Sequence, residues 1–307
     1  MCKSERNHAN AIVESTGVVA KQVDAVAVIV RYDAIPDVKR LLEVIPDPIR
    51  VIVFGAEEHA DKLDDPRIVR LDVPSFQLTR MDQIKMATVL ALSQRVLDAG
   101  ETFVALTGVA GKPIDTLVVM EVGKEYELFD SVGQPKLTEH VRRVVFQRVL
   151  TMALELANEG REGKPIGALF VIGNMRELQK YSEQNIINPF RGYAEKDRNI
   201  LDDRLRNTVK EFAAIDGAFL IKGNGVIVTA GTTLRPDTSG VELPQGLGAR
   251  HASAAAISAS TKSIAITVSE STGTVRLWRL GKMVIEIEKA PRAPVRPRNA
   301  AALRLTR

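Results

Sequence analysis

Residues 218–229 read Ala218-Phe219-Leu220-Ile221-Lys222-Gly223-Asn224-Gly225-Val226-Ile227-Val228-Thr229. Two apolar, β-branched runs flank an Asn-Gly pair, the strongest short-range signal of a hairpin, because the tight turn needs residues that tolerate positive φ. An antiparallel pair is therefore expected in the second half of the chain. A third strand at 264–268 follows, and then a last hairpin, 275–280 with 283–287, turning at Gly281-Lys282. Upstream, residues 167–172 (GALFVI) read as a buried strand. Helices are expected at 138–158, with Gly160 near its end, and at 200–214, the latter with Leu201, Leu205, Val209 and Phe212 facing inward. Hairpins interleaved with helices predict a mixed sheet.

The first 130 residues follow another pattern. Residues 25–30 (AVAVIV), 51–54 (VIVF), 103–107 and 117–122 are short, β-branched and almost wholly apolar. Such runs suit strands buried on both faces of a parallel sheet. Between them, residues 81–99 place Ile84, Ala87, Ala91 and Val96 at helical spacing, with Gly100 where a C-terminal cap is expected. The fold class is α/β. A parallel-sheet domain is expected over residues 1–132, a second domain over 133–290 and a Pro/Ala/Arg tail over 291–307. The break falls in Asp130-Ser131-Val132-Gly133-Gln134-Pro135.

A chain of 307 residues suits two domains, and 45% apolar with 26% charged residues is a globular composition. Cys2 is the only cysteine, at an N-terminus read as frayed, which excludes an intrachain disulfide and a multi-cysteine metal site. The polar start is unlike a signal peptide, and no apolar run approaches the roughly 20 residues needed to cross a bilayer. The expectation is a cytoplasmic protein with no membrane partner. The net charge is +4, yet Lys289, Arg292, Arg296, Arg298, Arg304 and Arg307 lie in a stretch with no acidic residue, so the remaining chain carries −2. A duplex-binding domain concentrates positive charge on a folded face. Here the excess sits in the tail, which reads as a disordered, solubilising end, and that argues against nucleic acid as a partner.

Three stretches could carry chemistry. Gly246-Leu247-Gly248-Ala249-Arg250-His251-Ala252-Ser253 precedes an alanine-rich helical run at 254–260. Glycines let a ligand approach the backbone, a helix start offers unpaired N–H groups and a positive dipole end, and arginine adds a planar fork matched to phosphate. The plainer reading is that Arg250 and His251 cap a surface helix. Asp216-Gly217-Ala218 opens the first hairpin strand; its carboxylate could hold a divalent metal or take a proton, or the pair could be only a turn. Glu270, after Ser269 at a strand end, is either an oxygen ligand or an exposed charge.

Their order is more specific than any one of them. Asp-Gly-Ala, the Gly-Asn-Gly hairpin, Leu-Gly-x-Arg-His before an alanine-rich helix, and Ser-Glu-x-Thr-Gly-Thr-Val resemble the diadenylate cyclase family. Gly163-Lys164-Pro165-Ile166-Gly167, Asn188-Pro189-Phe190, Arg198-Asn199-Ile200 and Lys210-Glu211-Phe212 fit the same family. The resemblance spans residues 138–288. The first half resembles, at the level of fold, the α/β domain that ends pyruvate kinases, a pairing similar to the archaeal form of these cyclases.

The resemblance implies a mixed, twisted sheet flanked by helices, ATP as substrate, cyclic di-AMP as product, and a divalent metal, Mn²⁺ or Mg²⁺. It implies that Asp216 lies by the ribose 3′-hydroxyl and the metal, that Glu270 assists the metal, and that Arg250 and His251 hold phosphates. The implied nucleotide cradle is Gly217, Ala218, Leu234 against adenine, Gly248, Ala249, Arg250, His251, Ala252, Ser253 and Ser269. One chain carries one such set and the reaction needs two nucleotides face to face, so a symmetric homodimer is implied.

The family's Arg-His-Arg is Arg250-His251-Ala252 here, and Ala249 stands where the family often has Thr. The missing guanidinium and hydroxyl remove phosphate contacts and leave open an alternative function, a catalytically silent module that binds ATP or a cyclic dinucleotide and signals through the first domain. Ser253, or a basic residue from elsewhere, could compensate. Gly108-Val109-Ala110-Gly111-Lys112 lacks the Walker spacing and reads as a strand-to-helix loop. His8, His59 and His140 read as surface residues, and Trp278 as packing in the final hairpin.

Overall fold

The computed structural model describes residues 3–35, 37–55, 65–73, 76–124, 140–160, 163–184, 186–237 and 246–290. The expected break at 130–135, the tail 291–307, His59 and Cys2 lie outside them. No helix of the described residues is long and apolar enough to cross a membrane.

The first unit runs α1 (Lys3–Gln22), β1 (Ala27–Arg31), α2 (Val38–Val44), β2 (Arg50–Gly55), β3 (Ile68–Asp72), α3 (Arg80–Ser93), β4 (Thr102–Thr107) and β5 (Thr116–Glu121). Its sheet has the order β3-β2-β1-β4-β5. The four expected strands are present, and the expectation of a parallel sheet holds for β3, β2, β1 and β4; β5 pairs antiparallel to β4. The 108–112 stretch therefore joins two strands and leads into no helix. β5 is an edge strand and only partly buried, whereas β1 is buried throughout.

Other differences have local causes. The polar N-terminus read as frayed is helical, because Ala9, Val13, Thr16 and Ala20 form a stripe that packs on the first sheet. α3 stops at Ser93, earlier than expected: Arg95 turns left-handed at φ 57°, and Gly100 belongs to the turn before β4.

The second unit runs α4 (Arg143–Asn158), β6 (Ala168–Gly173), α5 (Met175–Leu178), β7 (Ser182–Gln184), α6 (Arg206–Ala213), β8 (Ala218–Lys222), β9 (Ile227–Leu234), α7 (Ala249–Thr261), β10 (Ile264–Val268), β11 (Val275–Arg279) and β12 (Lys282–Ile287). The seven strands lie in the order β12-β11-β10-β6-β8-β9-β7. Only β6 and β8 pair in parallel, so the sheet is mixed, as expected. α6 is shorter than its expected span, a 3-10 turn over Asp203–Leu205 taking the place of its first turn. The last hairpin turns at Leu280-Gly281, both at positive φ, one residue before the expected place.

α4 and α6 cover one face of this sheet and α7 covers the other. α3 packs against the first sheet and also against α4 and β12. Being buried on two sides, it lacks a single apolar stripe. One apolar core consequently runs from Ile29 and Phe103 through Ile84 and Leu90 to Phe146, Phe170 and Ile285. Gln147 Nε2 donates to the Asp72 carbonyl at 2.6 Å and Arg143 Nη1 to the Gln94 carbonyl at 2.9 Å across the same junction.

Candidate active site

Strand register decides which loops meet. Val268 lies opposite Ala168, Leu169 beside Ala218, and Ala218 opposite Thr232. The end of β10, the starts of β6 and β8 and the far half of β9 therefore share one edge of the sheet. α7 leads directly into β10 and packs along it, which places the N-terminus of α7 at that same edge.

Asp216 follows the turn that closes α6. Gly217, at φ 113°, holds a conformation that side chains rarely adopt, and a Cβ there would lie 2.6 Å from the Gly231 carbonyl carbon and 2.7 Å from the Thr232 nitrogen. Only glycine lets the two backbones touch, and the β8–β9 register shifts beside it, between Ala218 and Leu220. The Asp216 side chain is left 94% exposed.

Glu270 sits in a tight turn after β10, where the Ser269 N–H donates to the Thr274 carbonyl and the Gly273 N–H to the Ser269 carbonyl, both at 2.9 Å. The Ser269 hydroxyl lies 3.2 Å from that of Ser271, within the same turn.

Arg250 joins the two acids. Its Nη2 lies 3.2 Å from Asp216 Oδ1 and its Nη1 lies 3.3 Å from Glu270 Oε2. The Nε of Arg250 is buried and has no hydrogen-bond partner among the described residues. One guanidinium thus holds two carboxylates that come from separate loops, leaving a formal charge of −1 on these three side chains. Gly167 makes the contact possible: a Cβ there would stand 2.7 Å from Arg250 Nη1 and 2.9 Å from the Glu270 Cβ. Sequence reading quoted Gly167 within a motif but not among the site residues.

α7 begins at Gly248, which offers no side-chain cap. Its carbonyl accepts from the N–H groups of His251 (3.0 Å) and Ala252 (3.2 Å). Gly246 takes φ 87°, a left-handed turn in the approach to the helix. Ala249 is exposed, and Ala252 and Ser253 are partly so.

His251 points the other way. Its ring is buried, 6.2 Å edge-on from Trp278, and Nε2 lies 3.1 Å from Arg276 Nη1, which fixes Nε2 as the acceptor. Arg276 is held in turn by Glu286. Burial first, and then the Arg276 charge, press the His251 pKa down to about 4 against a smaller opposing pull from Glu286. Trp278 is buried as expected and donates from Nε1 to the Thr267 hydroxyl at 3.0 Å. Leu234 is 9% exposed and packs with Ala218, Leu220 and Ile257 under α7.

Residues 155–283 match the family profile described as "DisA bacterial checkpoint controller nucleotide-binding", and residues 8–129 match "Probable sensor domain DacZ_P". A diadenylate cyclase of Methanocaldococcus jannaschii is 37% identical over 69% of this chain and 67% of its own length. One from Haloferax volcanii is 36% identical over 67% of this chain and 75% of its own length. The chain belongs to the diadenylate cyclase family. Among solved structures, a double mutant of DacA from Staphylococcus aureus aligns at 23% identity over 46% of this chain and 84% of that one, with a TM-score of 0.30.

Within this diadenylate cyclase, Asp216, Arg250 and Glu270 form one ion-paired cluster beside the start of α7. His251, adjacent in sequence to Arg250, is turned into the core. Gly217 shapes the strand contact beneath Asp216, and Ala218 and Leu234 lie on the sheet face that α7 covers.

Proposed function

We propose that this chain condenses two ATP molecules into cyclic di-AMP and releases two pyrophosphates, in the cytoplasm. The observation that supports it best is the double bridge from Arg250, which brings two carboxylates to the mouth of an uncapped helix start. Nucleotidyl transfer asks for positioning and charge neutralisation more than for elaborate acid–base machinery. Asp216 takes the proton of one ATP's 3′-hydroxyl. The 3′-oxygen then bonds to the α-phosphorus of the other ATP as the bond to the bridging oxygen breaks, and the electron pair leaves with pyrophosphate. A second, identical exchange closes the ring.

The donor set fits a hard divalent cation. Asp216 and Glu270 are exposed oxygen donors on one cluster, and no group of three or more His, Cys, Asp or Glu residues is gathered among the described residues. That matches Mg²⁺ or Mn²⁺ held by one or two carboxylates and by substrate phosphates, not by an all-protein cage. When bound, the cation neutralises triphosphate charge. Arg250 then faces the phosphates at the uncapped start of α7, while Gly217, Gly248, Ala252, Ser253 and Ser269 line the approach. We assign His251 to positioning: a neutral ring anchored to Arg276 fixes the first turn of α7, and with it the direction of Arg250. Leu234 and Ala218 support the adenine side.

One chain supplies one cradle, so two chains meet face to face to bring the nucleotides together, which also lowers the entropic barrier. Ala252 in place of the family's second arginine favours one other reading, a module that binds nucleotide without turnover. Incubating the purified chain with ATP and Mn²⁺ or Mg²⁺, read by mass spectrometry, separates the two. Cyclic di-AMP that disappears in Asp216→Asn supports catalysis; ATP binding with no product in the wild-type chain overturns it.

A further inference from the structure

A second cleft lies at the opposite end of the same sheet. β6 ends there at Gly173, β8 at Lys222 and β11 at Arg279, and α7 finishes with Thr261 and a left-handed Lys262. The cleft has a volume of about 810 Å³, with Ile172, Ile264 and Val141 among its apolar lining. That size suits a bound small molecule, for which about 300–1,000 Å³ is usual.

Its charge is one-sided. Among the described residues, Arg142, Lys222, Lys262 and Arg279 line it against Glu177, a net +3 from the lysine, arginine and acidic side chains. Glu177 is engaged by Lys180 and Lys222 by Glu195, so these flanking partners cancel each other. Arg142 and Lys262 are exposed at the rim and form no ion pair among the described residues, while Arg279 is only 7% exposed. α4 starts in the wall with no side-chain cap, its Arg142 N–H already donating to the Gly223 carbonyl at 2.9 Å. Cations converging from four elements on a partly apolar floor, beside an uncapped helix start, select an anion that also carries a hydrophobic part.

We infer that this cleft binds a small phosphorylated anion at a site separate from the catalytic mouth. Its walls are the two ends that matter to the rest of the molecule. α4 begins in one wall, and α7 carries Arg250 at its other end, about 18 Å away at 1.5 Å per residue.

The test is calorimetric titration of the full chain with ADP and, separately, with inorganic pyrophosphate. Two sites per chain are expected, one of them weakened at least tenfold by Arg142→Glu with Lys262→Glu and untouched by Arg250→Ala. Binding of ADP but not of pyrophosphate assigns a nucleotide; equal binding of both assigns the phosphate group alone. If the double variant melts early, the single Lys262→Gln change is read in the same way. One site per chain, or a second site that survives loss of the rim charges, overturns the inference whatever the turnover of ATP.

Discussion

Replacing Gly167 by alanine adds a single methyl group, and the structure says where it goes. The new carbon would lie 2.7 Å from Arg250 Nη1, 2.9 Å from the Glu270 Cβ and 3.2 Å from Glu270 Oε2. The first two distances are shorter than side chains accept, so the Arg250 guanidinium must swing out and the turn carrying Glu270 must shift. Little folding energy is at stake, because the ion pair is solvent-exposed and such pairs contribute about 0–1 kcal/mol. With roughly 2–4 °C of melting temperature per kcal/mol in a chain of this size, the melt should move by no more than a few degrees. Catalysis is more sensitive, since a misplacement of about 1 Å in a positioned group can cost on the order of 100-fold. Gly167→Ala should therefore lower kcat/KM for ATP by about that factor, measured as cyclic di-AMP formed, while the thermal melt stays close to wild type. Wild-type kcat/KM would refute the assignment of Arg250 and Glu270 to one working cluster. A melt lowered by ten degrees or more alongside the lost activity would refute it too, because the glycine would then be serving the fold.

Two further outcomes are expected. Ala252→Arg places a second guanidinium in the first turn of α7, and a charge-assisted hydrogen bond of about 1.5–3 kcal/mol should tighten ATP by tenfold or more in KM; no gain would mean that residue 252 does not face the phosphates. His251 has a folded pKa of about 4 against an ordinary value of 6.5, so the unfolded chain binds the extra proton between those values and stability falls as pH drops through that window. About 2 kcal/mol should be lost between pH 7 and 5, seen by urea unfolding of the wild type and absent in His251→Gln, with an equal slope in both proteins as the contrary result.

Much of the second unit was legible because its signals are local. Asn224-Gly225 marks the β8–β9 turn from two residues, β10 is a short apolar run, and β11 and β12 are short β-branched or aromatic runs broken by Arg276, Arg279, Lys282 and Glu286. The parallel pairing of β6 with β8 is not local: the chain between them passes through α5, β7 and α6 before it returns. β3 was missed because Arg70 and Asp72 interrupt its apolar pattern at an edge, and β7 because three polar residues, Ser182 to Gln184, owe their extension to pairing with β9. At the site, the sequence brought out Asp216, Arg250 and Glu270 as separate candidates, each with an ordinary structural explanation. That they touch is a consequence of the register across β10, β6 and β8. The inward turn of His251 had one usable signal, the alternation of a helix: residues 251, 254, 255 and 258 face the core together, whereas 250 falls on the open side.

The charge at the mouth gives the Ala252 departure its meaning. With arginine at both 250 and 252, two carboxylates and two guanidiniums would balance, and a triphosphate could settle against a neutral surface. Here one guanidinium faces two carboxylates, a formal −1 over these three side chains. His251 cannot help, since its ring stays uncharged at neutral pH and is turned toward Arg276. The free chain therefore keeps Arg250 occupied as the counter-ion of its own acids. We propose that the nucleotide competes with these two acids for Arg250, and that Asp216 and Glu270 would hold a divalent cation brought with it. On that proposal, alanine at residue 252 would make recognition of the nucleotide and of a metal one coupled event.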